Sequence, residues 1–223
     1  MVLDLNRPQA FRQRARAIVA PFGVGDDILE RVIDAYTEHW RTYHNHQHIL
    51  DMLERADELT MSDAARVELY LLIVYHDVWY KIMLEPGLNE RMSACWAIED
   101  VLGQESAGWH RAQKRLARLL KQGIGATVDH TLSAVDKEFH DIVGTLIDLD
   151  LAGLGKSPES FLVDTERVWR EYEPVCIRSQ FDEGRRLWAK EFLNRRKIFH
   201  TEVFAELEQQ ARRNLALLAF PPS

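Results

Sequence analysis

Apolar residues recur along this chain at steps of three and four, in segment after segment, and no convincing run alternates with a period of two. That spacing is the signature of amphipathic helices. It predicts an all-α fold, a single compact bundle of about ten helices in one domain over residues 1–223. The helices are expected at 8–20, 26–40, 45–59, 63–82, 90–103, 108–122, 135–152, 158–173, 178–196 and 199–218. Turn residues fall between them. Pro21-Phe22-Gly23 ends the first helix and Pro86-Gly87 separates the fourth from the fifth. Gly123 and Gly125 close the sixth, and Gly153 and Gly155 the seventh. Ser62 and Asn89 stand where N-caps are expected, and the final Phe-Pro-Pro-Ser reads as a frayed tail.

One segment breaks the amphipathic pattern. From Val67 to Tyr80 the chain is apolar almost all round, as in a buried central helix. His76 and Asp77 interrupt that run. An imidazole and a carboxylate placed there need a hydrogen-bond partner, a counter-charge or a metal. Two further polar groups extend other apolar faces. Stepping back by turns from Met52 reaches His48 and then His44, and from Ile49 it reaches Asn45, so these three face inward on a helix while His46 faces solvent. The pattern Phe139, Ile142, Val143, Leu146, Ile147 continues onto Asp150, which makes Asp150 the inward carboxylate and puts Asp148 on the outer side or behind it in a supporting role. His48, His76, Asp77 and Asp150 are therefore the expected ligands of one divalent ion. Two imidazoles with carboxylates suit a first-row metal better than calcium.

Composition narrows the remaining possibilities. Hydrophobic residues make up 46% and charged residues 28%, ordinary for a globular chain. A net charge of −7 argues against a protein that grips duplex nucleic acid through its phosphates, but not against a small anion in a locally positive pocket. Cys95 and Cys176 read as free thiols. The N-terminal residues lack a basic stretch followed by an apolar run, and the longest apolar stretch, Leu69 to Tyr75, is too short for a bilayer. The expectation is a cytoplasmic protein with no membrane partner, its oligomeric state left open.

The ordered set of motifs resembles the HD superfamily, and within it the predicted metal-dependent HD phosphohydrolases. The resemblance runs from about Trp40 to Asn214. It is carried by Tyr43-His44-Asn45-x-x-His48-Ile49, Tyr75-His76-Asp77-Val78-Trp79-Tyr80, Asn89-Glu90-x-x-Ser93-Ala94, Asp148-x-Asp150-Leu151-x-x-Leu154-Gly155 and Arg170-Glu171-Tyr172. It implies hydrolysis of a phosphate ester, a nucleotide ester being one candidate, with manganese, iron, magnesium, zinc, nickel or cobalt as the metal. The first motif also resembles the cyclic-nucleotide phosphodiesterases of the same superfamily. That similarity implies His48 as a ligand and His44 as a general acid, with Asp77 able to orient the attacking water.

Other residues stay open at this level, Asn45, Glu90, His130 and Arg170 among them as candidates for a substrate contact or a second metal. Glu90 either binds a second metal or a substrate hydroxyl, or favours a helix dipole; Asn89 is more readily a cap. His130 is either a second-metal ligand or a solvated loop histidine. Arg170, Arg185 and Arg186 have the fork that suits phosphate, yet such residues are more often surface ion pairs. His39, His110, His140 and His200 belong to no constellation, and Trp79, Trp96 and Trp188 read as core. Two other classes compete: a di-iron oxygenase of the same fold, with His130 and Glu90 as extra ligands, and a non-catalytic sensor or interaction protein whose metal is structural.

Overall fold

The computed structural model describes residues 7–82, 85–103 and 110–221, and among them the regular structure is entirely helical. In chain order the α-helices are α1 (Arg7–Val19), α2 (Asp26–Thr37), α3 (His46–Asp57), α4 (Asp63–Tyr75) and α5 (Leu88–Leu102). Then come α6 (Arg111–Gly125), α7 (His140–Leu151), α8 (Pro158–Tyr172), α9 (Arg178–Leu193) and α10 (Glu208–Ala219). Short 3₁₀ turns flank α7, at Lys137–Phe139 and Ala152–Gly155, and a longer one, Glu202–Leu207, leads into α10. The all-α expectation is met. No described helix is long and apolar enough to cross a membrane, and both cysteines are free thiols.

The core is one connected apolar cluster reaching from Phe11 to Ala219. Its axis is α4, where Leu69 and every residue from Leu71 to Tyr75 are fully buried. An all-round apolar helix must be covered on every side, and α1, α3, α5, α6 and α7 provide the cover. Caps match local chemistry at two of the starts that matter here: Ser62 Oγ accepts from the Ala65 N–H, and Asn45 Oδ1 from the Gln47 N–H.

The departure from the sequence expectation that bears most on the site is the end of α4, expected at residue 82; the tenth helix, expected from 199, begins at Glu208. Helix α4 stops at Tyr75, so His76 is its C-cap and Asp77 lies outside it. The next residues stay buried while leaving the helix because side chains from elsewhere satisfy their backbone. Tyr36 Oη donates to the Val74 carbonyl at 2.9 Å, and Arg41 donates to the carbonyls of Asp77 (2.8 Å) and Val78 (3.1 Å). Ser93 Oγ bonds both backbone groups of Trp79, and Asn89 does the same for Lys81. Asn89 is therefore a clamp; the N-cap of α5 is Gly87, in a left-handed conformation at φ 76°. Apolar periodicity cannot separate a buried turn of this kind from one more turn of helix.

Close approach is required at Gly155, which packs against the turn before α10. A Cβ there would sit 2.7 Å from Leu207 Cβ, an atom that cannot swing away. Gly155→Ala is expected to lower unfolding stability by about 1–3 kcal/mol, the usual cost of overpacking. Urea denaturation reads this directly, and an unchanged midpoint would mean that the turn before α10 shifts freely.

Candidate metal centre

Three helix ends converge beside α4. His48 sits in the first turn of α3, 9% exposed, on the same side as the buried Ile49, Met52 and Leu53. Asp150 sits in the last turn of α7. His76 caps α4 and is 1% exposed. His48 Nε2 lies 3.1 Å from Asp150 Oδ1, and His76 Nε2 lies 3.2 Å from Asp77 Oδ2 and 3.8 Å from Asp150 Oδ1. One donor atom each from His48, His76 and Asp150 lies within 4.8 Å of the other two. Donors held ~2.1 Å from one first-row ion are separated by roughly 3 to 4.2 Å, so this group needs little adjustment to close on an ion.

The state of His76 sharpens the fit. Its Nδ1 is 2.9 Å from the Ile73 carbonyl, which requires Nδ1 to carry a proton and leaves Nε2 as the lone-pair nitrogen of the neutral ring. That Nε2 is enclosed and, among the described residues, has no hydrogen-bond partner; Asp77 Oδ2 is near but out of line. A lone pair facing two carboxylates is repulsive unless a cation stands between them. Either a second proton or a metal can serve. Burial opposes a proton on the ring, but the charge of Asp77, then that of Asp150, outweighs it and raises His76 to about 9. Burial likewise works against charge on Asp77 and Asp150. The facing imidazoles prevail at both and hold the carboxyls below the usual range. Donor set, orphaned nitrogen and spacing all fit a divalent metal.

His130 joins this group from outside the regular helices. Its Nε2 lies 3.1 Å from Asp150 Oδ2, so Asp150 is shared by His48 and His130. The backbone of His130 is in the left-handed region at φ 54°, the lone non-glycine case among the described residues. Such a conformation persists where its surroundings dictate it. Arg195 Nη1 (3.2 Å) and His200 Nε2 (3.1 Å) both bond the His130 carbonyl, and Arg195 Nη2 donates to that of Asp129 at 2.8 Å. His200 thus has a supporting task that its sequence surroundings did not suggest. The support traces back to Asp148. It is fully buried, not on the outer side, and accepts from the His200 and Thr201 N–H groups and from Thr201 Oγ1 at 2.6–2.7 Å.

His44 lies one residue before the N-cap of α3, so its placement does not come from sharing a helix face with His48. It comes from Glu171 on α8. The fully buried Glu171 carboxylate takes the Tyr43 and His44 N–H groups on Oε1, at 2.7 and 2.9 Å, and His44 Nδ1 at 2.6 Å on Oε2. Burial disfavours the imidazolium, yet Glu171 outweighs it and raises His44 above its ordinary value. Burial would also raise Glu171, but His44 and the two N–H groups keep it low. The sequence did signal Glu171: it continues the inward face through Phe161, Asp164 and Val168. Its neighbour Arg170, the residue singled out in that motif, is exposed and outside the site. Asn45, expected to face substrate, is committed to the cap and to the Arg41 carbonyl. His46, expected in solvent, is half-buried against Phe11, and burial lowers its pKa.

A cavity of about 350 Å³ opens onto His44, Asp77, His130 and Asp150. Glu90 also lines it and has a raised pKa, chiefly from burial. Trp188, expected in the core, is half-buried on the cavity wall. Comparison with protein-family models and with curated protein sequences finds no match.

Proposed function

We propose that this protein is a metal-dependent phosphohydrolase acting on a small phosphate ester. The observation that carries this reading is that His44, Asp77 and Asp150 face one cavity, with Asp150 grouped with His48 and His76 behind it and His44 held by Glu171. His48, His76, Asp77 and Asp150 would hold the metal. Once bound, that metal would lower the pKa of a water and polarise a phosphoryl oxygen. The rest belongs to the chain. Glu171 fixes the His44 ring through Nδ1, leaving Nε2 to donate a proton to the leaving oxygen. Glu90, on the cavity wall, offers a carboxyl to a substrate hydroxyl.

The pair has a definite pH window. His44 has a folded pKa above 6.5, so the stabilisation it gains is complete below pH 6.5 and is lost as pH rises through the raised value. Glu171 lies below 4.5, so its share is present above pH 4.5 and is lost as pH falls through the lowered value. An acid poised this way keeps its proton beyond pH 6.5. In Glu171→Gln the descending limb of the kcat–pH profile should move to lower pH. In His44→Ala kcat should fall by about 10²-fold or more. The test is a screen of phosphomonoesters and nucleotides with each first-row metal. If no ester is turned over with any of them, the reading fails.

His130 favours one alternative. Its contact with Asp150 makes it a candidate extra ligand, as a di-iron oxygenase would require. Two irons per chain, with oxygen uptake and no ester cleavage, would establish that chemistry instead.

A further inference from the structure

We infer that Arg185 forms an anion subsite on the cavity wall, taking oxygens of the substrate's phosphate. Arg185 is half-buried on α9 and lines the same cavity as Asp77 and Asp150. Its guanidinium lies 4.1 Å from the centre of the Trp188 ring, which holds the fork in place. Its Nε is enclosed and, among the described residues, has no hydrogen-bond partner.

Among the described residues no carboxylate pairs with the Arg185 guanidinium. The nearby groups that titrate are the hydroxyls of Tyr43, Tyr80 and Tyr172, and Tyr80 and Tyr172 bond one another. Asp164 also lines the cavity, but Lys156 at 2.7 Å and Arg167 at 3.0 Å already hold it. Other arginines of this fold are committed: Arg41 to backbone carbonyls and Glu38, Arg195 to the carbonyls of Asp129 and His130, Arg212 to Glu208. An enclosed Nε–H left without an acceptor is costly unless an anion completes it. Arginine presents paired N–H groups that match the oxygens of a phosphate. The Trp188 stack pre-organises the fork, so little freedom is lost when the anion arrives.

The anion site stands on Arg185 itself; the choice of phosphate rests on the hydrolase reading above. The experiment is calorimetric titration of inorganic phosphate, and separately acetate, into the metal-loaded protein and its Arg185→Gln and Arg185→Lys variants. Metal content and circular dichroism are checked in each. Phosphate binding should weaken about 10- to 100-fold in Arg185→Gln, as for loss of a charge-assisted bond. It should recover in part in Arg185→Lys, with metal content unchanged throughout. Equal phosphate affinity in Arg185→Gln and wild type overturns the inference, as does a wild type that binds no phosphate or prefers acetate. Arg185-dependent phosphate binding in a protein that cleaves no ester would sink the hydrolase reading and leave the subsite standing.

Discussion

Asp150→Ala should empty the proposed metal centre. Asp150 faces His48 on one oxygen and His130 on the other, and lies 3.8 Å from His76. Its removal takes away one donor and the charge that draws three imidazoles together. Outer-shell partners of a metal ligand are typically worth 10–100-fold in affinity. Loss of a ligand that also links the others should exceed that. Elemental analysis after purification and reconstitution should fall from about one ion per chain to below roughly a tenth, and turnover should fall by about 10³-fold or more. Asp150→Asn keeps the shape and one acceptor but not the charge, and should fail in the same direction. Full metal occupancy in Asp150→Ala would show that the ion lies elsewhere, and would overturn the proposed ligand set.

Asp148→Ala is expected to have the largest effect on stability. The carboxylate is fully buried and satisfies three donors at 2.6–2.7 Å. Each buried group left without a partner costs about 1–3 kcal/mol, so a total loss of roughly 3–5 kcal/mol is expected in urea denaturation. Asp148→Asn retains one acceptor oxygen and should lose about half as much. The effect should also reach the site. Asp148 fixes residues 200 and 201, and His200 holds the carbonyl of His130. A loosened His130 should weaken metal binding about 10-fold, the low end for an outer-shell partner. A loss below about 1 kcal/mol would mean that water replaces the carboxylate, and that the segment is not anchored there.

The sequence by itself determined the fold class and most of the side chains that face inward. Apolar steps of three and four specify helices because burial must repeat once per turn. The same steps lead from Met52 to His48, from Ile147 to Asp150 and from Val168 to Glu171, so these polar groups were legible as inward-facing. Asp148 was not, because period alone gives it the opposite side of α7; the segment carrying His200 and Thr201 covers that side and buries it. The end of α4 was hidden for a related reason. Arg41, Tyr36, Ser93 and Asn89 satisfy the backbone beyond Tyr75 from distant points in the chain, and so turn His76 and Asp77 toward Asp150. The pairing of His44 with Glu171 and the left-handed turn at His130 joined residues that share no local pattern. Local spacing decides which face of a helix is apolar; the meeting of helix ends, the backbone groups left over there and the charges that answer one another exist only once the tertiary structure has formed.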